Sequence, residues 1–322
     1  MKYFFIITFG GTCAVAFGII LAVSAHFVTV SISSRLANIS TSNVANVAGA
    51  VIPKPIDGTS ISGFKRLVSY TASEEEGLLT AATLSLPKGF VEGISAKSYV
   101  IKDVKSNKII AQKDSDKLLP IASLTKLVTA VVADKVYKGD EKIKITESIM
   151  SAYGNTAQFR VGEVILAKDL FYPLLMVSSN DAAEAFAQAY GRKEFIRAMN
   201  EFVQSIGAYR TTFVDPSGLS ENNRSTSNDL ITIMTWVEKN EPNIIEITKL
   251  KTKTVKAHTW TNPAHFLSWS NYKGGKNGYT EEAHQTGVAL FEMGSKNLYA
   301  VAVLGSKMRD ADVVKLLGKV KE

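Results

Sequence analysis

Cysteine is nearly absent from the chain: Cys13 is the only one in 322 residues, and it lies in an apolar leader. An intramolecular disulfide is therefore excluded, and a thiol redox or metal role has little to build on. Histidine is scarce too, and His26, His258, His265 and His284 stand at no metal-ligand spacing. Eight prolines and 22 glycines without an internal repeat fit neither a repeat fibre nor a wholly disordered chain. Net charge is modest: 37 basic against 30 acidic side chains leave +7, which suits an anionic polymer or surface but is too dilute to indicate nucleic acid. Apolar material is plentiful at 46%, enough for a large core in a chain long enough for about two domains, or one with appendages.

One long apolar run, Phe4 to Ile32, follows Lys2 and precedes Arg35. At 1.5 Å per residue, about 20 residues suffice to cross a bilayer as a helix. The small residues Val23, Ser24 and Ala25 also suit a cleaved signal peptide, but the apolar residues Phe27 to Val30 continue past them and favour an uncleaved anchor. Residues 1–32 are thus expected to be a transmembrane anchor or signal peptide. Residues 33–62, rich in small and polar residues and broken by Pro53 and Pro55, read as a flexible linker. Residues 63–322 are left as one folded domain. Its expected place is outside the cytoplasm, held at a bacterial cell membrane, or secreted if the leader is cleaved.

Within that domain a short helix is expected around Glu74 to Ala82, and a hairpin from Ser98–Val104 and Ile109–Gln112. Helices are predicted from Ser123 to Val132, Ala167 to Met176, Asp181 to Tyr190, Lys193 to Ile206 and Asn228 to Val237. Strands at Thr286–Met293 and Leu298–Leu304 and a helix at Asp310–Leu317 close the chain. Strands at both ends with helices between them imply an α+β fold in which the first and last segments share one antiparallel sheet.

Three clusters can carry chemistry. Ser-x-x-Lys puts a hydroxyl and an amine one helical turn apart, and the amine becomes a base if burial lowers its pKa. Of four matches (Ser62/Lys65, Ser85/Lys88, Ser123/Lys126, Ser270/Lys273), only Ser123 opens an apolar stretch, IASLTKLVTAVVA, able to bury the lysine. The plainer reading is a capping serine with a snorkelling lysine. In the second cluster, Ser178-Ser179-Asn180-Asp181, Asp181 is expected to cap the next helix. Ser178 suits a proton relay, and Asn180 a hydrogen-bond donor to a substrate amide and to the lysine. The third is Gly274-Gly275-Lys276-Asn277-Gly278-Tyr279-Thr280, either a strand edge that lets an extended substrate approach a positive charge, or an exposed turn.

In this order the clusters resemble the serine penicillin-recognising enzymes, whose signature is Ser-x-x-Lys, Ser-Asp-Asn and Lys-Thr-Gly. The segments ASLTKLVTA, SSNDAAEAFA, MNEFVQSIGAYRTTFVDPSGLS, STSNDL and GGKNGYTEEA, spread between Ser98 and Leu304, resemble the low-molecular-mass D-alanyl-D-alanine carboxypeptidases that trim peptidoglycan stems. The resemblance implies a β-lactamase/transpeptidase-like fold, an antiparallel sheet flanked by helices plus a helical subdomain. It implies Ser123 as nucleophile, Lys126 as general base, Ser178 and Asn180 on the facing lip, and Lys276 in proton transfer or carboxylate orientation. Asn277, Gly278 and Tyr279 would bind substrate, the backbone N–H groups of Ser123 and Tyr279 forming the oxyanion hole. No metal or organic cofactor is implied; the partners are stem peptides and β-lactams.

Asn277 stands where the family usually has threonine, which puts recognition of a free terminal carboxylate in question and raises endopeptidase action on cross-links as an alternative. Two further readings stay open: a β-lactamase, for which Glu221 and Glu238 are the available deacylating carboxylates, and a catalytically weak wall-peptide-binding homologue. Arg160, Arg210 and Arg224 can meet stem carboxylates but read more simply as surface residues, and Trp260 and Trp269 read as packing rather than groove lining. His284 either crowds the cleft or sits in a solvated loop.

Overall fold

The structure, a computed structural model, describes residues 93–320; the expected leader, linker and Glu74–Ala82 helix lie outside them. The chain runs through strands β1 (Ser98–Asp103), β2 (Ile109–Lys113) and β3 (Leu119–Pro120) into a 3-10 turn, Ala122–Leu124, and helix α1 (Thr125–Val136). Next come β4 (Lys142–Lys144), α2 (Glu147–Met150), β5 (Val164–Leu166), α3 (Ala167–Met176), α4 (Asn180–Tyr190) and α5 (Arg192–Ser205). Then follow β6 (Arg224–Ser225), α6 (Ser227–Asn240), α7 (Pro242–Lys249) and the hairpin β7 (Thr252–Val255) and β8 (His258–Thr261). The chain closes with β9 (Tyr272–Thr280), β10 (His284–Met293), β11 (Asn297–Ser306) and α8 (Arg309–Leu317).

The main sheet has the order β2-β1-β11-β10-β9 and is antiparallel throughout, so the first hairpin pairs with the last strand, Ser98 opposite Leu304. Both faces are covered, which is why β11 reads NLYAVAVLGS without polar alternation. Val301 and Val303 pack with Ile101, Phe291 and Leu316 beneath α8. Ala300, Ala302 and Leu304 face the helical side, with Leu127, Phe186, Phe195 and Met234.

On that side the helical periodicity is clear. In α5, Phe195, Met199, Phe202 and Val203 form one buried stripe at helical spacing. Helix α6 is capped by Thr226, whose side chain accepts from Asp229 N, and buries Leu230, Ile233, Met234 and Val237. Truncating a buried anchor such as Phe195 costs about 3–5 kcal/mol in comparable cores.

The short elements β3 to β6 and α2, the helix α7 and the β7–β8 hairpin were not expected from pattern. Helix α7 begins at Pro242, which reads as a breaker but occupies the first turn, where a missing N–H costs nothing. The β7–β8 hairpin alternates with mostly polar residues and buries chiefly Trp260, so it carries a weak signal. The third cluster is a strand, β9, not an exposed turn: Gly274, Gly275, Lys276 and Gly278 are buried in it. Among the described residues no helix is long and apolar enough to cross a membrane.

Candidate active site

Ser123 sits in the 3-10 turn that leads into α1, half-buried, and the preceding Ala122 is forced to φ +49°. A non-glycine residue in that region is strained, and such strain persists where the surroundings over-determine it. Here Gly218, itself at φ +86°, packs so closely that a Cβ on it would fall 1.9 Å from the Ala122 carbonyl oxygen. On the other side, Thr286 of β10 donates its hydroxyl to the Ile121 carbonyl at 3.0 Å. The turn that carries Ser123 is thus clamped between a loop and the sheet.

Lys126, in the first turn of α1, is fully buried, and its Nζ lies within hydrogen-bond distance of three oxygens: 2.9 Å from Ser123 Oγ, 2.7 Å from Asn180 Oδ1 and 2.5 Å from the Ser217 carbonyl. Burial pushes its pKa well below the usual lysine range. The Lys276 charge adds to that shift, while Asp215 and Asp181 oppose it.

Ser178 lies in the turn between α3 and α4 at φ +58°, another strained position. It accepts from Lys276 Nζ at 2.9 Å, and the same amine donates to the Asn277 carbonyl at 2.7 Å. Lys276 is buried in β9, and that burial, with the nearby Arg309 charge, brings its pKa down to about 7.

The helix that follows Ser178 is capped differently from expectation. The cap is Ser179, whose hydroxyl accepts from Ala182 N at 3.0 Å, while Asp181 is buried with neither carboxylate oxygen hydrogen-bonded among the described residues. Asn180 also plays the reverse of its expected part toward the lysine. Its Oδ1 accepts from Lys126, and its Nδ2 donates to the Tyr153 carbonyl at 2.6 Å, because the lysine's N–H groups need acceptors in either charge state.

Strand β9 is the sheet's edge, so part of its backbone is unpaired, and Gly278 brings it against Ser123. A Cβ there would lie 2.8 Å from Ser123 N and 2.6 Å from Thr286 Oγ1. Asn277 is half-buried and Tyr279 presents an exposed side chain at the strand's end. The five predicted polar groups, Ser123, Lys126, Ser178, Asn180 and Lys276, therefore converge in two linked clusters.

Other predicted residues stay outside the site. Arg160, Arg210 and Arg224 are exposed, as is His284 at the start of β10, and Trp260 is core. Ser270 is exposed and Lys273 pairs with Glu292, whereas Ser62, Lys65, Ser85 and Lys88 lie outside the described residues. No group of three or more His, Cys, Asp or Glu side chains suited to a metal occurs among the described residues.

Sequence reasoning missed four contributors. Asp215 organises the loop that offers the Ser217 carbonyl: its Oδ1 accepts from Ser217 N, Ser217 Oγ and Gly218 N, and its Oδ2 from Ser220 N. The Asp-Pro-Ser-Gly string is a turn signal that points to this. Tyr153 acts through its carbonyl, which no sequence pattern reveals. Its loop is held by Trp260, whose Nε1 donates to the Ala157 carbonyl, and by the 2.5 Å contact of His258 with Glu163. Arg309, held by Asp310, lies beside Gly287 and bears on Lys276 from a distant part of the chain.

Comparison with known proteins gives the family and the fold. A family model described as D-alanyl-D-alanine carboxypeptidase matches residues 84–307. A D-alanyl-D-alanine endopeptidase of Escherichia coli K12 is 37% identical over 195 residues, 59% of this chain and 60% of that protein. A D-alanyl-D-alanine carboxypeptidase of Bacillus subtilis is 28% identical over 237 residues, 69% of this chain and 61% of that protein. The chain thus spans about three-fifths of the length of these relatives.

Among solved structures, the Streptomyces K15 DD-transpeptidase superposes with a TM-score of 0.65 at 26% identity, covering 71% of this chain and 97% of that one. Penicillin-binding protein D2 of Listeria monocytogenes, solved in its cefotaxime-bound form, gives 0.63 at 26% identity over 71% of this chain and 98% of that one. The expected α+β, transpeptidase-like fold is the fold observed. With seven-tenths of its length matched by the family model, the chain belongs to the D-alanyl-D-alanine carboxypeptidase family of hydrolases, peptidase S11.

Proposed function

We propose that this chain is a serine-type D-Ala-D-Ala carboxypeptidase that trims peptidoglycan stem peptides through an acyl-enzyme on Ser123. The observation that carries this reading is the fully buried Lys126 amine 2.9 Å from Ser123 Oγ, with its pKa driven down by that burial. A desolvated amine is neutral enough to take a proton from a hydroxyl, which a solvated lysine is not.

Ser123 Oγ attacks the carbonyl carbon of the penultimate D-alanine as Lys126 Nζ takes the hydroxyl proton. The oxyanion forms where the backbone N–H groups of Ser123 and Tyr279 can donate to it, a stabilisation available chiefly at the tetrahedral stage. The C–N bond then breaks, and the departing D-alanine amine takes a proton through Ser178 Oγ, resupplied by Lys276, whose pKa of about 7 suits that task. Water then attacks the ester carbonyl, its proton replacing the one Lys276 gave up, and as the ester C–O bond breaks Lys126 returns its proton to Ser123 Oγ. β-Lactams would acylate the same hydroxyl. The run Phe4–Ile32 would tether the enzyme to the bacterial membrane with this domain on the outer side.

A second reading, cleavage of cross-links by endopeptidase action, is favoured by two observations. Asn277 replaces the usual threonine, and relatives named D-alanyl-D-alanine endopeptidase, from Escherichia coli and Pseudomonas aeruginosa, reach 37% identity against 28% for the Bacillus subtilis carboxypeptidase. Offering the full chain a pentapeptide muropeptide and a cross-linked dimer side by side separates the two. Free D-alanine from the first supports the carboxypeptidase, and monomers from the second alone transfer the assignment to the endopeptidase. Neither product from folded protein overturns both.

A further inference from the structure

Lys126 begins its task as a buried neutral amine, and on taking the Ser123 proton it becomes a buried ammonium. A new charge without water is costly unless an opposite charge answers it. The charged groups that bear on Lys126 come from three directions: Lys276 from β9, Asp215 from the loop before β6, and Asp181 from α4.

The two carboxylates differ in what they are free to do. Asp215 has both oxygens engaged by four donors of its own loop, so its charge is committed to holding that loop. Asp181 is fully buried, and neither of its oxygens has a hydrogen-bond partner among the described residues. It directly follows Asn180, whose Oδ1 accepts from Lys126 Nζ at 2.7 Å, in the first turn of α4. Burial raises its pKa to about 6, opposed by its own backbone N–H and by the Lys126 charge.

We propose that Asp181 is an electrostatic positioning residue whose carboxylate stabilises the Lys126 ammonium as Ser123 loses its proton during acyl transfer. The proton moves only from Ser123 Oγ to Lys126 Nζ; Asp181 forms no bond to substrate and supplies the answering negative charge. This rests on the reading of Lys126 as the base.

The test measures acylation of the full chain by a fluorescent penicillin across pH 4.5–9, wild type beside the isosteric Asp181→Asn. Without the carboxylate Lys126 is a weaker base, so the acylation rate constant at pH 7.5 should fall about tenfold. The acidic limb of the profile should move down by about one pH unit, because an ammonium deprived of its counter-charge loses its proton sooner. A limb that stays in place, whatever the rate does, overturns the proposal, since a merely structural change lowers the rate without moving it.

The reciprocal measurement needs neither that variant nor any turnover. The Asp181 carboxyl carbon is titrated by 13C NMR in the wild type and in Lys126→Ala. Coupling between the two charges requires the Asp181 midpoint to rise by about one unit when the amine is removed. An unchanged midpoint overturns the proposal, including where Asp181→Asn does not fold. A wild type that no penicillin acylates would count against the functional reading, and the titration would still decide the coupling.

Discussion

The backbone nitrogen of Ser123 lies 2.8 Å from where a side chain on Gly278 would begin, so the edge strand and the Ser123 turn meet at the one residue type that permits it. The same added carbon would also press on Thr286 Oγ1, which anchors the Ile121 carbonyl. Gly278→Ala should push β9 off the turn, lowering acylation by about a hundredfold, the scale on which an oxyanion donor is lost. Stopped-flow acylation kinetics and circular dichroism check this together. A variant that acylates at the wild-type rate contradicts the close approach.

The loop between Asp215 and Ser220 makes a separate prediction. Asp215→Ala removes an acceptor used by four donors and frees the Ser217 carbonyl from Lys126, so stability should fall by about 2–4 kcal/mol in urea unfolding. Asp215→Asn retains one acceptor oxygen and should fall between the two. Equal stability of all three proteins would show that the loop is held by other contacts.

Lys276 gives a pH signature. Its folded pKa of about 7 lies below the unfolded lysine value near 10.4, so between these limits the unfolded chain holds more protons and stability rises with pH. Asp181 works in a lower window. Its folded pKa of about 6 lies above the unfolded value near 3.9, and its contribution is lost as pH rises through about 6. Melting temperatures should show the Lys276→Met variant without the wild-type gain between pH 7 and 10. Parallel curves for the two proteins would remove Lys276 from the account.

Much of the fold was readable because its signals are local. The stripe of Phe195, Met199, Phe202 and Val203 announces α5, and the apolar runs of β10 and β11 announce central strands. The core of the site was legible for a related reason: Ser123 and Lys126 share one turn, and an apolar helix around a lysine implies a desolvated amine. What was hidden is long-range or main-chain. The Arg309 charge bears on Lys276 from a later element, and the Tyr153 and Ser217 carbonyls carry no side-chain identity to read. The error at Asp181 has the same origin. An acid in a helix's first turn ordinarily caps or faces solvent, and only the packing around α4 shows it buried while Ser179 takes the cap.

Asn277 can be tested by restoring the family's residue. Asn277→Thr shortens the side chain that stands beside Gly287 and Arg309. Release of terminal D-alanine should rise about tenfold relative to cross-link cleavage, a difference typical of one altered polar contact. Product ratios by chromatography of digested muropeptides check it, and an unchanged ratio would assign the specificity elsewhere.

The central claim, that the buried Lys126 makes Ser123 the acylated group, is tested most directly by intact mass spectrometry of the full chain after exposure to a β-lactam, with peptide mapping. The account predicts one adduct, on Ser123, absent from Ser123→Ala and strongly reduced in Lys126→Ala. An adduct on another residue, or one that survives in Ser123→Ala, would contradict it.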